Sequence, residues 1–299
     1  MAENRVAVYL DFDNIVISRY EAVHGRARWR ADQARDHAMS PTSTNEVARR
    51  LDQARVDVDA IIDYATSFGT VAFTRAYADW SVPANAAYRP QLVNRAVYLT
   101  QLFSTSGTKN GADIRLSTDA IDDLYRHADL THVVIVAGDS DFIALAQHCK
   151  RLGRHVVGIG VAGSTSRALV AACDEFTHYA DLPGVPHPAP EAPAPDQDKP
   201  QPAQQPAKAK TRKAKPATLS PEEAAAELLV RAIRVGMEKS SDEWLYAAGV
   251  KSQMQRLDPA FKESALGFGS FRKFVESQEA RVESRFAANG QAQVRLRQG

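Results

Sequence analysis

The sequence predicts an α/β fold with a mostly parallel central sheet, followed by a small second domain. Over residues 1–181, short runs rich in β-branched residues alternate with stretches of helical periodicity, the pattern of strands joined by crossover helices. Residues 182–218 are rich in Pro, Ala, Gln and Lys, as disordered linkers are. Apolar periodicity returns in residues 219–299. We therefore expect two domains, 1–181 and 219–299, joined by the linker.

Strands and helices are expected to alternate through the first domain. The strands are expected at 5–12, 70–77, 98–103, 132–137, 155–161 and 175–179. The helices are expected near 46–66, 84–97, 113–128, 141–152 and 166–173. Residues 19–45 do not fit this alternation and are expected to separate the first strand from its helix. We interpret them as an inserted, mobile loop, which could include a short helical stretch, over the site end of the sheet. On the helix near 113–128, Ile114 lies on the expected buried face and Asp123 on the solvated face.

Composition excludes several classes of protein. A hydrophobic content of 44% and a charged content of 24% are ordinary for a globular protein, and no apolar run reaches membrane-spanning length. No signal-peptide pattern is present, so we expect a cytoplasmic protein that does not contact membranes. Cys149 and Cys173 lack Cys-x-x-Cys spacing, which argues against a disulfide framework or a thiolate zinc site and favours buried thiols.

Charge is unevenly distributed, although the formal net charge is only +1. Residues 1–181 contain 19 Lys and Arg against 22 Asp and Glu, whereas residues 206–299 contain 17 against 11. A mildly acidic first part and a basic last part indicate an acidic site joined to an anion-binding module.

The first expected strand ends abruptly in acid. The apolar run from Val6 to Leu10 is followed by Asp11, Phe12, Asp13 and Asn14. Ligands of open α/β sheets bind beyond the carboxyl ends of the strands, so Asp11 occupies the position of a catalytic or metal-binding group. On this stretch alone, the alternative that Asp11 and Asn14 only cap the next helix is equally well supported.

A second acidic turn follows the strand expected at 132–137. Gly138 allows a tight turn, and Asp139 and Asp141 then open a helix. Asp139 or Ser140 alone would cap that helix, so the second carboxylate exceeds what capping requires. Both carboxylates are therefore candidates for the same cleft.

A third segment brings another aspartate to a helix start. Asp113 follows the turn that begins at Lys109, and Asp119 lies farther along the helix, at the rim of the site or on the surface. Lys109 and Arg115 are either ordinary surface charges or phosphate contacts. If the sheet brings the three segments together, four carboxylates surround one pocket: Asp11, Asp113, Asp139 and Asp141.

Crowded carboxylates repel one another, and a bound cation relieves the repulsion. Ligands that are all oxygen atoms favour Mg²⁺ or Mn²⁺ over zinc. Such ions activate water for in-line displacement at phosphorus, which indicates phosphodiester hydrolysis.

Three motifs in this order resemble the NYN domain: Asp11-Phe12-Asp13-Asn14, Lys109-Asn110-Gly111-Ala112-Asp113 and Gly138-Asp139-Ser140-Asp141-Phe142. The resemblance covers about residues 5–181 and is nearest to the bacterial LabA-type branch. It implies a PIN-like, Rossmann-like fold and metal-dependent cleavage of RNA. By motif it implies site roles for Asp11, Asn14, Asp113, Asp139 and Asp141, with Asn14 positioning the metal shell or a phosphate oxygen. The secondary candidates are Asp13, Asp119 and Ser140.

A competing motif lies at the fifth strand. Gly158, Gly160 and Gly163 match Gly-x-Gly-x-x-Gly, with Asp181 beyond them, as in dinucleotide-binding domains. The motif follows the fifth strand rather than the first, and the helix after it is too short for a βαβ unit, so we favour the nuclease interpretation.

The second domain is expected to be a winged helix. Ser220 and Pro221 begin a helix, and segments 282–286 and 293–296 form a terminal hairpin with Asn289-Gly290 as its turn. The run Gly267-Phe268-Gly269-Ser270-Phe271, followed by Phe274, and the closing Val294-Arg295-Leu296 resemble the OST-HTH (LOTUS) domain. That resemblance implies RNA binding or protein contacts. Candidate phosphate contacts, equally well explained as solvated charges, are Arg272, Lys273, Arg295 and Arg297.

Together these features predict a metal-dependent ribonuclease domain tethered to an RNA-binding module. The competing hypothesis is a non-catalytic RNA-binding or regulatory adaptor whose acidic pocket is only structural.

Overall fold

A parallel sheet of six strands forms the centre of the first part of the chain. The computed structural model describes residues 3–103, 111–186, 220–239, 243–287 and 290–297. The strands are β1 Arg5–Asp11, β2 Thr70–Ala78, β3 Tyr98–Gln101, β4 His132–Val136, β5 His155–Gly160 and β6 Glu175–His178. Their order is β3-β2-β1-β4-β5-β6, and every described pair is parallel. The predicted α/β fold with a mostly parallel sheet is therefore confirmed.

The strand order reverses beside β1. The chain runs outward from β1 through β2 to β3, and then returns to place β4 on the other side of β1. Such a reversal leaves a crevice at the carboxyl ends of the two central strands, where open α/β sheets bind ligands. Asp11 is the last residue of β1, so it lies at this crevice.

Helices cover both faces of the sheet. They are α1 Phe12–His24, α2 Arg28–Ala31, α3 Glu46–Gln53, α4 Val58–Thr66, α5 Pro83–Ala86, α6 Arg89–Asn94, α7 Gly111–Arg126, α8 Ile143–Arg151 and α9 Arg167–Ala172. Val8 and Leu10 of β1 belong to one apolar core, and Ala7 and Tyr9 belong to the core on the opposite face. β1 is therefore central to both layers, as its unbroken apolar sequence indicates.

The first helix follows the first strand directly, which corrects the expectation that a loop separates them. α1 begins at Phe12 and buries Ile15, Val16, Arg19 and Tyr20, which lie three or four residues apart on one helical face. Arg19 interrupts the apolar pattern in the sequence. In the structure its guanidinium lies 5.4 Å from the ring centroid of Tyr179, where its aliphatic stem shares the buried face.

The rest of the expected loop is also packed. Tyr20 Oη donates to Asp32 Oδ2 at 2.8 Å, and Arg50 Nη1 donates to the same oxygen at 2.9 Å. Ala34 is fully buried in a small core with Tyr20. Residues 25–45 are thus held against α1 and α3 by a buried tyrosine and a shared aspartate, so the prediction of a mobile loop was wrong for this stretch.

The last part of the chain combines helices with a second, antiparallel sheet. Its elements are α10 Pro221–Lys239, β7 Leu245–Tyr246, α11 Ala247–Leu257, α12 Phe271–Ser277, β8 Val282–Phe286 and β9 Ala292–Leu296. The strand order is β7-β9-β8, with Ser220 and Ser270 capping α10 and α12 as expected. This helix-and-hairpin arrangement confirms the winged-helix architecture. Asn289 of the expected turn lies outside the described residues, and Gly290 adopts φ +77°.

The two parts of the chain touch along β6, an edge strand. The backbone N–H of Phe176 donates to the carbonyl of Pro259 at 3.1 Å, and Lys262 Nζ donates to Thr177 Oγ1. The first part packs as far as Leu182 and Val185, which are buried in its core although they lie in the expected linker. Residues 187–219 of that linker lie outside the described residues.

Two further expectations concern the cysteines and membranes. Cys149 and Cys173 are buried free thiols, and burial raises the pKa of each to about 12. Within the described ranges, none of the helices combines the length and apolarity needed to cross a bilayer.

Candidate active site

Asp11 is a buried carboxyl at the centre of the site. Its side chain is 3% exposed and accepts a hydrogen bond from the backbone N–H of Asn14 at 3.3 Å, which caps α1. Burial, followed by repulsion from Asp113, raises the pKa of Asp11 to about 8, and the Asn14 hydrogen bond offsets only part of this effect. Asp11 is therefore both the helix cap and a strongly perturbed acid.

Three more aspartates lie at the same end of the sheet. Asp113 is in the first turn of α7, and Asp139 and Asp141 follow β4. Burial and then repulsion from Asp139 and Asp141 raise the pKa of Asp113 to about 6. Repulsion from Asp139 also raises the pKa of Asp11. The four carboxylates thus form one electrostatically coupled group that is contributed by three chain segments.

The donor set suits a hard divalent cation, but the side chains do not enclose one as they stand. All four candidate ligands offer carboxylate oxygens, the donors that Mg²⁺ and Mn²⁺ prefer. Across the described residues, no group of three or more His, Cys, Asp or Glu has the proximity needed to hold a metal ion. Asp139 Oδ1 instead accepts from the Asp141 backbone N–H and from Ser140 Oγ, both at 3.3 Å.

Asn14 joins the ends of the two central strands. Its Oδ1 accepts a hydrogen bond from the Gly138 backbone N–H at 3.3 Å, while its own N–H donates to Asp11. Ser18 Oγ also donates to Asn14 Oδ1, at 3.5 Å. Because Gly138 immediately precedes Asp139, Asn14 fixes the spacing between the β1 and β4 turns that carry the acids.

Asp13 lies in a polar cluster beside the four acids, and this cluster also includes Asp79, which the sequence pattern did not single out. Asp13 accepts hydrogen bonds from Asn85 Nδ2 and from the Asp79 backbone N–H. Asp79 is paired with Arg35 at 2.8 Å and accepts from Gln101 Nε2 at 3.0 Å. Asp79 directly follows β2, the neighbour of β1, so its position after an apolar strand was the feature that could have identified it.

Asp119 is held by two partners on the helix side of the site. Tyr77 Oη donates to Asp119 Oδ2 at 3.1 Å, and Arg115 Nε donates to Oδ1 at 2.9 Å. The charge of Arg115 is therefore matched by a carboxylate one helical turn away. Lys109, the other proposed phosphate contact near the pocket, lies outside the described residues.

Asp123 is buried, not solvated as its position on the helix had indicated. It is 4% exposed and accepts from Arg75 Nε and Nη2, both at 2.9 Å, and from Tyr9 Oη at 3.1 Å. Ile114, expected on the buried face, is exposed. The polar network attaches α7 to β1 and β2, and so fixes the helix whose first turn carries Asp113.

Packing accounts for the glycines of the competing dinucleotide motif. A Cβ atom at Gly158 would collide with the ring of Phe176, and one at Gly160 with Thr165 Oγ1. Only Gly163, with φ +86°, has open space around it. Close packing around the strand therefore requires two of the three glycines, and no bound nucleotide is needed to explain them.

The cationic candidates of the last part of the chain differ in their surroundings. Arg295 pairs with Glu243 and Glu283, and Arg297 lies 3.9 Å from Glu283. Arg272 is exposed and donates to Glu276 at 2.6 Å, and Lys273 is exposed on the same helix. Arg295 thus pairs with two carboxylates, whereas Arg272 pairs with one and Lys273 is exposed at the surface.

Comparison with known proteins gives one family. The family model described as the NYN domain matches residues 5–180, more than half of the chain. Among solved structures, a protein of unknown function from Vibrio parahaemolyticus RIMD 2210633 is similar, with 22% sequence identity and a TM-score of 0.44. That match covers 60% of this chain and 94% of the other. No curated protein matches the chain.

Proposed function

This chain belongs to the NYN domain family, and from that premise we propose that it is a ribonuclease that hydrolyses RNA phosphodiester bonds with the aid of Mg²⁺ or Mn²⁺. The NYN domain belongs to a nuclease superfamily. The observation that supports this proposal most strongly is the repulsion among Asp11, Asp113 and Asp139 at the strand reversal. A site that keeps a buried acid with a pKa of about 8 gains most from a bound cation. By its motifs we place the chain nearest to the LabA-type branch.

In the proposed mechanism the four aspartates hold the cation: Asp11, Asp113, Asp139 and Asp141. A bound Mg²⁺ or Mn²⁺ supplies Lewis acidity that makes water nucleophilic near neutral pH and offsets charge on the phosphate. Because its pKa is raised to about 8, Asp11 holds its proton near pH 7 and would give it up as a ligand of the cation. Asn14 keeps the β1 and β4 turns at a fixed separation, which orients the acids without moving a proton.

The last part of the chain is proposed to bind RNA as an OST-HTH-type module. Support comes from its winged-helix architecture and from exposed cations such as Arg272 and Lys273. The basic run of the linker, Lys208 to Lys215, adds a non-specific attraction to phosphates. Tethering such a module to the nuclease domain would raise the local concentration of RNA at the acidic site.

A non-catalytic adaptor is the second candidate function, and one observation favours it. Over the described ranges, the carboxylates do not approach closely enough for any three to hold one ion. In that case the acidic group would serve only to cap helices, as Asp11 and Asp139 do. RNA would then be bound without being cut.

Cleavage of labelled single-stranded RNA separates the two functions. With Mn²⁺ or Mg²⁺ the full chain is expected to cleave, and excess chelator is expected to stop it. Asp11→Asn and Asp139→Asn should each lower the rate on the order of a hundredfold or more, because each removes a charge that stabilises the cation or the transition state.

The matched control is Asp122→Asn on the same domain. Asp122 is exposed and pairs with Arg126 at 2.7 Å on the surface of α7. It should cleave like the wild type. No cleavage by the wild type, or equal cleavage by all three variants, would support the adaptor instead.

A further inference from the structure

A slot lies between α12 and the terminal hairpin. Its volume is about 260 Å³. The helix contributes Arg272, Val275 and Glu276, which share one helical face because they lie three and four residues apart. The hairpin contributes two directly opposed pairs, Ser284 with Val294 and Phe286 with Ala292.

The slot has an apolar floor and a polar rim. Val275 and Val294 are buried at the floor. At the rim, Phe286 is 57% exposed, so one face of its ring is accessible to a ligand. The guanidinium of Arg272 lies 4.8 Å from the centroid of the Phe286 ring, and its Nε donates to Glu276. A flat ring, a flat cation and a carboxylate therefore meet at one opening.

The hairpin beside this opening is rich in arginine. Between residues 281 and 297, the described residues include four arginines and a single acid, Glu283. Arg285, which also lines the slot, lies 4.1 Å from the ring centroid of Trp244. Guanidinium groups stacked on aromatic rings remain charged and still offer N–H groups at their edges. Glu283 offsets part of this charge, because it pairs with Arg295 and lies 3.9 Å from Arg297, so the hairpin cation that a phosphate would meet at the slot is Arg285.

We propose that this slot binds one unpaired nucleobase of single-stranded RNA. Phe286 is the stacking platform, Arg272 sits over the same ring and contacts the adjoining phosphate, and Glu276 accepts an N–H from the edge of the base. Bases of single-stranded RNA are recognised by stacking on aromatic rings and guanidinium planes and by hydrogen bonds to their edges. The inference deepens the proposed function, since it rests on RNA being the ligand of the chain, but it does not depend on cleavage.

An apolar side chain of a protein partner is the other class of occupant. The rim argues against it, because an aliphatic side chain would remove water from the Arg272–Glu276 pair and from Arg285 without offering them any new hydrogen bond. A nucleotide matches both the apolar floor and the charged rim. Replacing Phe286 with leucine distinguishes the two classes of occupant. Leucine keeps an apolar surface for a protein side chain but removes the ring on which a base would stack.

The test is the affinity of the full chain for short, fluorescein-labelled single-stranded RNA. Fluorescence anisotropy measures this affinity in a buffer that contains chelator and no divalent cations. These conditions separate binding from cleavage, so a failed nuclease assay leaves this result interpretable. Phe286→Ala and Phe286→Leu should each weaken affinity by roughly 5- to 100-fold, and Phe286→Tyr should restore it. Arg272→Gln should weaken affinity and also lessen its dependence on salt.

The matched control is Tyr246→Ala, which removes an aromatic ring of similar exposure, 47%, that does not line the slot. It should bind RNA as the wild type does. Wild-type affinity in Phe286→Ala, or an equal loss in Tyr246→Ala, would overturn the proposal. Self-association through the slot would also overturn the proposal. Sedimentation would then show a wild-type dimer that Phe286→Ala dissociates and Phe286→Leu preserves.

Discussion

Asp11 concentrates the electrostatic cost of the site in one residue. It is buried at the end of the central strand, and Asp113, Asp13 and Asp139 all disfavour its charged form. The hydrogen bond from the Asn14 backbone N–H favours the charged form of Asp11 but offsets only part of these effects on its pKa. An acid held this way reduces the stability of the cation-free protein at neutral pH, and the proposed cation would restore that stability on binding.

Stability of the cation-free protein should therefore fall as the pH rises. The unfolded carboxyl of Asp11 releases its proton near 3.8 and the folded one near 8, so between these values the unfolded state binds fewer protons. The stability that the protonated Asp11 carboxyl contributes is fully present below about pH 4. It is lost toward pH 8, by at most about 1.4 kcal/mol per pH unit. Urea unfolding in chelator across this range is expected to show the slope in the wild type and a flatter profile in Asp11→Asn.

The control for this slope is Asp129→Asn. Asp129 is exposed and forms a surface pair with Arg5 at 3.1 Å. Its variant should keep the wild-type slope, since an exposed pair has little effect on stability. If Asp11→Asn kept that slope as well, Asp11 would not be the perturbed acid.

The site acids could be predicted from the sequence because their positions depend on local pattern. Asp11 and Asp139 each follow an apolar run, and parallel topology places the ends of such runs at one edge. Asp123 could not be predicted in the same way. Its partners Arg75 and Tyr9 are 48 and 114 residues distant in sequence, and only the packing of α7 on the sheet brings them together.

The helix α7 matters most to the site because it combines an anchor to the sheet with a proposed metal ligand. Its first turn carries Asp113, and near its end Asp123 is bound by Arg75 and Tyr9 in the sheet. A buried charge pair of this kind adds little stability compared with apolar packing, but breaking it leaves an unpaired charge. The pair therefore fixes where α7 lies against β1 and β2.

Removing the Asp123 charge should destabilise the fold and disturb the site together. Asp123→Asn is expected to lower the free energy of unfolding by about 3 kcal/mol, because Arg75 then lacks its carboxylate partner. Cleavage should decline as well, since the position of Asp113 depends on α7. Its neighbour Asp122 provides the comparison: Asp122→Asn should change the unfolding free energy by less than about 0.5 kcal/mol. Equal urea midpoints for the two variants would show that the network does not anchor the helix.

The sequence did not reveal α1, and the reason is also physical. The buried positions of α1 do follow a helical period, from Phe12 to Ile15, Val16, Arg19 and Tyr20. A buried arginine at one of these positions hid the pattern. Its burial is possible because Tyr179, 160 residues later, provides a ring for the guanidinium. Contacts across that distance cannot be inferred from hydrophobic periodicity.

The last part of the chain covers one edge of the parallel sheet. β6 is an edge strand, and such strands expose unpaired backbone groups. Pro259 accepts the Phe176 N–H, while Lys262 donates to Thr177 and lies 5.7 Å from the Tyr64 ring centroid. Burial lowers the pKa of Lys262, and nearby Asp181 and Glu175 favour its charge.

Reversing that charge should release the winged helix from the sheet. Lys262→Glu would place a carboxylate beside Glu175 and Asp181 and remove the donor to Thr177. Small-angle X-ray scattering of the full chain is expected to give a larger radius of gyration for this variant than for the wild type. Lys273→Glu makes the same charge change on exposed α12 and should leave the radius unchanged. Identical radii in the two variants would mean that Lys262 does not hold the parts together.

Aspartates from three chain segments are proposed to hold a divalent cation together at the strand reversal. Crystals of the full chain soaked in Mn²⁺ test this proposal directly through anomalous scattering. The expected result is a manganese peak at the carboxyl ends of β1 and β4, bounded by Asp11, Asp113 and the turn that holds Asp139 and Asp141. In crystals of Asp11→Asn that peak should be lost or strongly reduced. Well-ordered wild-type crystals with no manganese peak at these carboxylates would contradict the claim.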